Sequence, residues 1–316
     1  MLPKITVVGS LNMDLIVRTP RIPSPGETII GSGFHTAPGG KGANQAVAAA
    51  RLGAQVSMVG RVGKDEFAAT LLENLILANV NTQFVIQDPE APTGVALIEV
   101  DDSGENSIVV ASGANMRVSS LDVDAAQEAI SAADLLLLQL GIPLKSILQA
   151  AVLAKRKNVT VILNPAPARK LTSELLNLVD ILIPNETETA LLTGLPVDSQ
   201  SEIRAAASSL LTSGIKTVIL TLGDNGALLT REGKSDIFPA FQVNPVDTTA
   251  AGDAFVGGFA VALAEGKSVT EAIRWGNAAG ALATTRLGAQ PSLPIRQDVE
   301  IMLEGQAQQI SKGVQQ

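Results

Sequence analysis

Short apolar segments alternate with stretches of helical periodicity along most of the chain. The apolar segments are rich in Val, Ile and Leu at successive positions, which is typical of strands covered on both faces. They occupy residues 5–8, 56–59, 135–138, 159–163, 181–183 and 217–221. The helical stretches occupy residues 42–52, 65–78, 144–157, 202–213, 254–264 and 269–286. This alternation predicts an α/β fold, with a doubly wound, mostly parallel sheet and helices on both faces.

Two segments interrupt the alternation and predict a small β-sheet lid outside the main sheet. The first, at about residues 12–38, contains four prolines. The second, at about 93–112, has β-rich runs at 94–100 and 107–111 around a polar turn, D-D-S-G-E at 101–105, which is a hairpin pattern. Because its residues are apolar on both faces, we expect the substrate cleft to cover one face and a second subunit the other. An ordinary packed hairpin is the alternative.

The length of 316 residues is compatible with one α/β domain. We expect a single domain over residues 1–312, with the two lid segments inserted in it. Residues 306–316 are polar and are predicted to form a tail.

Composition excludes several function classes. The chain has no Cys and one His, which removes disulfides, Cys nucleophiles and ordinary structural zinc sites. A net charge of −8 and 3% aromatic residues argue against nucleic-acid binding. No segment reaches about 18 uncharged apolar residues, so no membrane association is expected. The N-terminal segment lacks a signal-peptide pattern, and a cytoplasmic location is therefore expected.

Two common nucleotide motifs are missing. The run G-G-K-G at 39–42 fails as a P-loop, because Gly42 rather than Ser or Thr follows Lys41. The first strand leads into Gly9-Ser10-Leu11-Asn12, which lacks the second glycine of a dinucleotide fingerprint.

The segment D-T-T-A-A-G-D at 247–253 carries the strongest chemical signal. Small residues lead into an apolar helix, so a ligand can approach the free N–H groups of its first turn. These amides and the helix dipole favour an anion, and Asp253 lies at the same end. The alternative is that Asp253 only caps the helix.

Three further segments carry candidate ligand groups. The glycines of G-G-K-G-A-N-Q at 39–45 allow close backbone approach, and the polar residues Lys41 and Asn44 suit a polyhydroxylated ligand. Asn12 and Asp14 follow the first strand and point the same way, so both could bind adjacent hydroxyls. Asn185 and Glu188 share one face of a helical turn and suit a hydrated Mg²⁺. Their spacing is also that of a capping box, and both interpretations can hold together.

These segments, in this order, resemble the ribokinase branch of the PfkB family of sugar and nucleoside kinases. N-P-A-P-A at 164–168, the turn at 221–226 and G-A-Q-P-S at 288–292 extend the resemblance over nearly the whole chain. It implies a single kinase domain that phosphorylates the 5-hydroxyl of D-ribose with ATP. Asp253 would be the base, and an anion hole would be formed by Ala250, Ala251 and Gly252.

The resemblance also implies a set of ligand contacts. The sugar would be bound by Asn12, Asp14, Gly40, Lys41, Gly42, Ala43, Asn44 and Asp253. The ATP site would be lined by Asn185, Thr221, Gly223, Asn225, Gly226, Gly252 and Asn277. Glu188 would lie near the Mg²⁺ that accompanies ATP. Activation by K⁺ is implied at Asp247, Thr249, Ala283, Arg286, Gly288 and Ser292, mostly through carbonyl oxygens. A homodimer formed through the lid is the implied assembly.

Gly141 departs from the family pattern, because ribokinases typically carry a sugar-contacting Glu at this position. One sugar contact is therefore missing or supplied from elsewhere. A family member that acts on another sugar or nucleoside, such as deoxyribose, fructose or a ketosugar acid, is the first alternative. A non-catalytic sugar-binding protein is the second.

Overall fold

The computed structural model describes residues 2–102 and 106–313. Over these ranges thirteen strands are formed: β1 Lys4–Val8, β2 Asn12–Arg18, β3 Gly33–Gly39, β4 Gln55–Val62, β5 Val80–Gln87, β6 Gly94–Val100, β7 Asn106–Ala111, β8 Leu135–Leu138, β9 Thr160–Leu163, β10 Ile181–Leu182, β11 Thr217–Thr221, β12 Ala227–Arg231 and β13 Lys234–Phe238. The same ranges contain eleven α-helices: α1 Lys41–Arg51, α2 Glu66–Leu77, α3 Ser120–Ala125, α4 Gln127–Ser131, α5 Leu144–Lys155, α6 Ser173–Leu176, α7 Glu186–Thr193, α8 Gln200–Leu211, α9 Ala251–Ala264, α10 Val269–Thr284 and α11 Arg296–Gly313.

Nine of the described strands form the main sheet, in the order β13-β12-β11-β10-β9-β8-β1-β4-β5. The strands from β11 to β5 pair in parallel, whereas at one edge β12 pairs antiparallel with β11 and β13 pairs antiparallel with β12. The predicted mostly parallel sheet and its six strands are confirmed. The sequence analysis missed β5 and β13, the two edge strands, because polar residues interrupt their apolar runs, and it missed β12 because the apolar run of that buried strand is only three residues long.

Helices cover both faces of the main sheet, as predicted. Strand β8 divides its side chains between two apolar cores: Leu135 and Leu137 face one, and Leu136 and Leu138 face the other. The first core is completed by α1, α9 and α10, and the second by α3, α4, α5 and α8. Because both faces of the main sheet are buried, its strands carry apolar residues at successive positions.

The predicted lid is a separate four-stranded sheet in the order β3-β2-β6-β7. Strand β2 pairs in parallel with β6, while β3 and β7 run antiparallel on the two edges. The predicted hairpin of β6 and β7 is confirmed, although residues 103–105 of its turn lie outside the described residues. Apolar side chains are exposed on both faces, namely Ile108 and Val110 on one and Phe34, Leu97 and Val109 on the other.

Helix α11 runs to Gly313, so the predicted polar tail is helical in its described part, and residues 314–316 lie outside it. Within the described chain, no helix is both long enough and apolar enough to cross a bilayer.

The winding of the main sheet reverses beside β1. The chain leaves β1 towards β4 and β5 on one side, and later returns to build β8 to β11 on the other. Open α/β sheets bind ligands at such a reversal, beyond the carboxyl ends of the strands. Gly9–Leu11 follow β1 there, and Gln139–Gly141 follow β8.

Helices α1 and α9 pack closely against each other beside this reversal because Gly257 has no side chain. A Cβ atom at Gly257 would lie 2.5 Å from the Cβ of Ala48 and 3.1 Å from the backbone nitrogen of Ala49. The two helices that carry the candidate site residues are therefore held together at a glycine contact.

We expect Gly257→Ala to lower the free energy of unfolding by about 1–3 kcal/mol, because the added methyl group overpacks the α1–α9 contact. Gly305→Ala in α11 is the matched control, because a Cβ atom there meets nothing within 4 Å. The control should raise stability by about 0.5–1 kcal/mol through helix propensity alone. Urea denaturation measures both values, and equal signs for the two variants would contradict the close contact.

Candidate active site

The N-terminal tip of α9 is open to solvent. Ala250 occupies the N-cap position in the left-handed conformation, with φ of 60°, and it forms no side-chain capping bond. A Cβ atom at Gly252 would meet nothing within 4 Å, so no neighbouring group covers the tip. The N–H of Ala251 donates to the carbonyl of Thr248 at 3.2 Å. The N–H groups of Gly252 and Asp253 come next in the first turn, where a helix offers no carbonyl partner of its own.

Asp253 lies in this first turn and is only 5% exposed. Its Oδ2 accepts a hydrogen bond from Nδ2 of Asn44 at 2.9 Å, and its Oδ1 accepts one from Nε2 of Gln45, also at 2.9 Å. The alternative that Asp253 simply caps its helix is wrong, because Ala250 holds the cap position and α1 supplies the partners of the carboxylate.

Asn44 presents an unpaired acceptor beside this carboxylate. Its Oδ1 is buried and, within the described chain, has no hydrogen-bond partner. Buried polar atoms are normally paired, so such an atom indicates a missing ligand group. A sugar hydroxyl is a suitable donor.

Asn12 and Asp14 lie on the same face of β2, as predicted, and both are buried. Nδ2 of Asn115 donates to Oδ1 of Asn12 at 2.8 Å, which turns the Asn12 amide nitrogen towards other partners. The Asp14 carboxylate lies over Gly39, where it occupies the space that a side chain at position 39 would need.

Burial raises the pKa of Asp14 to about 7, and the negative charge of Asp253 adds to this effect, while Lys41 opposes it. The two carboxylates and the lysine therefore lie close enough to interact electrostatically. Two acidic groups near each other, one with a raised pKa, are typical of a functional site.

Gly40 and Lys41 form the start of α1. Gly40 has φ of 90°, and a Cβ atom there would lie 2.6 Å from the backbone nitrogen of Asn12. Lys41 is the first helical residue and is exposed. The helix dipole disfavours a cation at a helix N-terminus. The nearby carboxylates of Asp14 and Glu188 offset this unfavourable interaction, and the charge of Lys41 in turn opposes the rise that burial causes in the pKa of each carboxylate.

Gly42 and Ala43 anchor α1 to the loop after β1. A Cβ atom at Gly42 would lie 2.7 Å from the backbone nitrogen of Ser10, and the N–H of Ala43 donates to the Ser10 carbonyl at 3.0 Å. Both residues are buried, so the structure gives them a packing role beside the predicted ligand contacts.

The loops after β10 and β11 form the other side of the candidate site. Asn185 bridges to Thr221, whose N–H donates to the Pro184 carbonyl at 2.9 Å. Asn185 and Glu188 form both hydrogen bonds of a capping box, so that interpretation of their spacing is confirmed. Burial raises the pKa of Glu188, and Asp253 is among the charges that it senses.

Glu188 also fits a Mg²⁺ site. One oxygen of its buried carboxylate accepts the Asn185 N–H at 2.9 Å, which orients the group and leaves the second oxygen available. In the described chain, no cluster of three or more His, Cys, Asp or Glu residues could hold a metal ion alone. One carboxylate with water and phosphate oxygens is the usual coordination of Mg²⁺ at nucleotide sites.

The remaining predicted nucleotide residues differ in their surroundings. Gly223, Asn225 and Gly226 form the turn after β11, and a Cβ atom at Gly223 would face open space. Asn277 is buried in α10, and its Nδ2 donates to the carbonyls of Phe238 and Pro239 at 3.1 Å each. Its amide nitrogen therefore holds the loop after β13 and is not free for a nucleotide.

The predicted potassium residues lie on two loops that hydrogen bonds join. Asp247 accepts bonds from Thr249 and from the Gly288 N–H, the latter at 2.8 Å, and its own N–H donates to the Thr284 carbonyl at 3.1 Å. Although burial opposes the effect, these hydrogen bonds lower the pKa of Asp247. The guanidinium of Arg286 is directed to Asp298, and the hydroxyl of Ser292 to the carbonyl of Ala289. A negatively charged Asp247 and the carbonyl oxygens of the two loops are compatible with a monovalent cation. Ala283, the remaining predicted residue, is buried near the end of α10, which adjoins these loops.

The sequence analysis assigned no role to Gln45, Asn115, Gln139 and Asn164, all of which bond to site residues or to each other. Gln45 carried a usable signal, because it is a long polar residue that precedes the apolar run of α1. Gln139 carried none, since its partner lies 94 residues away in the chain.

Gly141 has little room for a side chain. A Cβ atom there would lie 2.7 Å from Oγ of Ser10 and 2.9 Å from its Cβ. Ser10 therefore occupies the space beside this position.

We expect Asp14→Asn to stabilise the free protein at pH 8 and to leave its stability almost unchanged at pH 4. At pH values between the ordinary pKa of an aspartate and about 7, Asp14 is ionised in the unfolded wild-type chain but keeps its proton in the folded protein. The stability of the wild type therefore falls as the pH rises through this range, and the variant lacks this loss. The gain at pH 8 is at most about 4 kcal/mol. Urea denaturation at both pH values measures it, with Asp236→Asn on exposed β13 as the control. A gain that is the same at both pH values would contradict the buried charge.

Comparisons with known proteins agree with this geometry. The profile described as "pfkB family carbohydrate kinase" matches residues 2–296. A ribokinase of Haemophilus influenzae is 48% identical over 301 residues, which cover 95% of this chain and 98% of that protein. A deoxyribokinase of Salmonella typhi is 42% identical over 292 residues, covering 92% and 95%. The structure of Arabidopsis thaliana ribokinase complexed with ribose and ATP has a TM-score of 0.88 and 38% identity, covering 96% of this chain and 99% of that one. The family resemblance seen in the sequence is confirmed: the chain belongs to the pfkB family of carbohydrate kinases.

Proposed function

We propose that this protein uses ATP to phosphorylate the 5-hydroxyl of D-ribose. One observation carries the proposal: a buried carboxylate, Asp253, lies at the uncovered N-terminal tip of α9, beside the unpaired acceptor of Asn44. A base and an anion site at one place suit the transfer of a phosphoryl group to an alcohol. The names of the relatives reported above support ribose and ATP as the substrates.

The sugar is bound between the lid and α1. Asn12 and Asp14 on β2 contact adjacent hydroxyls, and Asn44 accepts a hydrogen bond through its free Oδ1. The backbone at Gly40 allows close approach, and Lys41 contributes charge at the rim. These contacts hold the 5-hydroxyl in line with the transferred phosphoryl group, which is most of what such a reaction requires.

Asp253 accepts the proton of that hydroxyl as the new bond forms. The N–H groups of Gly252 and Asp253 at the tip of α9 stabilise the negative charge on the phosphoryl oxygens, while Ala250 and Ala251 form the uncovered backbone before them, with the Ala251 N–H bonded to Thr248. The loops with Asn185, Thr221, Gly223, Asn225 and Gly226 bind the nucleotide, and Asn277 of α10 holds the loop after β13 through Phe238 and Pro239. Mg²⁺ supplies neutralisation of phosphate charge when bound, and Glu188 is the residue that would hold it.

We further propose a K⁺ site at the Asp247–Gly288 loops, a homodimer and a cytoplasmic location. The K⁺ site adjoins the start of α9 and would stabilise the tip. The exposed apolar side chains on both faces of the lid favour a partner surface in the dimer. Closure of the lid excludes water from the phosphoryl group. A dimer would have twice the mass of 32.6 kDa in sedimentation velocity, and a monomer would contradict this part of the proposal.

Deoxyribose is the second candidate substrate, and Gly141 is the observation that favours it. Position 141 offers no carboxylate to a sugar, and Ser10 fills the space beside it. A deoxyribokinase is among the similar proteins. A site with one fewer hydroxyl contact discriminates less against a sugar that lacks a hydroxyl.

An ATP-consumption assay over ribose, 2-deoxyribose, fructose, ketosugar acids and nucleosides tests the proposal. We expect the highest kcat/KM with ribose, in the presence of Mg²⁺, and a lower rate when Na⁺ replaces K⁺. A preference for deoxyribose would select the second candidate. Turnover of none of these compounds would favour a sugar-binding protein, and equal rates in Na⁺ and K⁺ would contradict the K⁺ site.

We expect Asp253→Asn to lower kcat by roughly 10²–10⁴-fold, because the amide cannot accept the proton. Nucleotide affinity should stay within a few-fold of wild type, since the nucleotide loops are unchanged. Steady-state kinetics and nucleotide titration measure the two quantities, and Asp236→Asn is again the control. Turnover near the wild-type rate would remove Asp253 as the base.

A further inference from the structure

Two glutamines outside the predicted site connect Asp253 to the crevice of the main sheet. Nε2 of Gln139 donates to Oε1 of Gln45 at 2.6 Å, and Nε2 of Gln45 donates to Oδ1 of Asp253 at 2.9 Å. Both glutamines are fully buried. Gln139 lies just after β8, Gln45 in the first turns of α1 and Asp253 in the first turn of α9. The three side chains therefore join three elements that meet at the winding reversal.

A fourth side chain fixes the second hydrogen of the Gln45 amide. Nε2 of Gln45 also donates to Oδ1 of Asn164 at 3.1 Å. Asn164 cannot reverse its amide, because its own Nδ2 donates to the carbonyl of Ile183 at 2.8 Å and a carbonyl can only accept. Asn164 thus presents oxygen to Gln45.

The donor and acceptor direction of each hydrogen bond between Gln139, Gln45 and Asp253 follows from the groups at the ends of the series. An ionised carboxylate only accepts hydrogen bonds, so Gln45 must turn its NH₂ group towards Asp253. The Gln45 oxygen then points the other way and needs a donor. Gln139 supplies that donor, and reversing either amide would bring two acceptors together.

This arrangement has a cost to stability. Oε1 of Gln139 is buried and, in the part of the chain that the structure describes, lacks a hydrogen-bond partner. Such an atom usually destabilises a fold, because it loses its hydrogen bonds to water on burial. The oxygen lies where a side chain at Gly9 would otherwise be, so the chain leaves room for it. A pair kept only for packing would not require an unpaired polar atom.

We propose that Gln139 and Gln45 are positioning residues that hold the Asp253 carboxylate in its reactive orientation. Gln45 binds Oδ1 and Asn44 binds Oδ2, so each oxygen of the carboxylate is held by one amide donor. Gln139 acts through Gln45 by fixing which end of that amide meets Asp253. This inference rests on the proposed role of Asp253 as the base.

The test compares kcat and KM of Gln45→Met, Gln139→Met and Gln139→Glu with those of the wild type across pH 5.5 to 9. The assay uses whichever sugar the wild type phosphorylates, so an error about ribose would not affect the comparison. Gln45→Met should lower kcat roughly 10- to 100-fold, the effect of losing one charge-assisted hydrogen bond, and Gln139→Met should lower it about 2- to 10-fold, because its hydrogen bond to Gln45 is neutral and acts on Asp253 only through Gln45. KM values for sugar and ATP should stay within about threefold, because the ligand contacts remain.

Gln139→Glu should show a different pH dependence. At low pH the protonated carboxyl donates to Gln45 as the amide does, and kcat should stay within a few-fold of wild type. As the pH rises and that carboxyl ionises, it can only accept, so Gln45 must turn its NH₂ group away from Asp253. The ratio of variant to wild-type kcat should then fall with rising pH, whereas it should be constant for Gln139→Met and for the exposed control Gln127→Glu.

Parallel pH profiles for Gln139→Glu and wild type would overturn the proposal, as would Met variants with wild-type kcat. If Gln139→Glu fails to fold, the two Met variants decide, provided that their melting temperatures show them folded at the assay temperature. A loss confined to KM would assign the glutamines to ligand binding and would also overturn the proposal. In each of these cases a wild type that phosphorylates sugar leaves the proposed function intact.

Discussion

The hydrogen bonds between α1 and the Asp253 carboxylate are the interactions on which the rest of the candidate site depends. They hold a buried, charge-bearing group at the one end of α9 where the helix can also bind an anion. An unpaired carboxylate at 5% exposure would carry a large desolvation cost, and the two amide donors offset that cost. Because both donors come from α1, the distance between α1 and α9 directly controls the geometry of the base.

The fold sets that distance by simple means. Gly257 lets the two helices approach, and Gly42 lets α1 lie against the loop after β1. The reversal of winding beside β1 opens the crevice into which these elements project. Strand β2 continues from β1 into the lid, so Asn12 and Asp14 are carried on the same connection that starts at the crevice. The proposed sugar-binding residues and the proposed base are therefore connected through the loop after β1, which packs against α1 and continues into the smaller sheet.

Much of this arrangement could be predicted from local sequence patterns. The apolar runs identified six strands, because strands buried on both faces need such runs, and the small residues before Asp253 indicated the open helix tip. The edge strands β5 and β13 could not be recognised, since polar residues interrupt their apolar runs, and the buried strand β12 was missed because its apolar run is only three residues long. The start of α9 was placed three residues late, because Ala251 and Gly252 carry no apolar periodicity.

Long-range pairing was the part that the sequence could not provide. Nothing near Gln139 indicates that it meets Gln45, because the order of strands in the sheet brings them together. Asn277 likewise looks like a free amide in the sequence, whereas the structure commits its nitrogen to the loop after β13. For a polar residue in a buried helix, only the tertiary structure shows whether its side chain is free to contact a ligand or is already hydrogen-bonded within the protein.

A crystal structure with ribose and a non-hydrolysable ATP analogue would test the central claim most directly. The account predicts the 5-hydroxyl oxygen at about 2.6–3.2 Å from an Asp253 carboxylate oxygen, with the terminal phosphate at the N–H groups that begin α9. A sugar bound with that hydroxyl directed away from Asp253, or a phosphate bound away from the α9 tip, would contradict it.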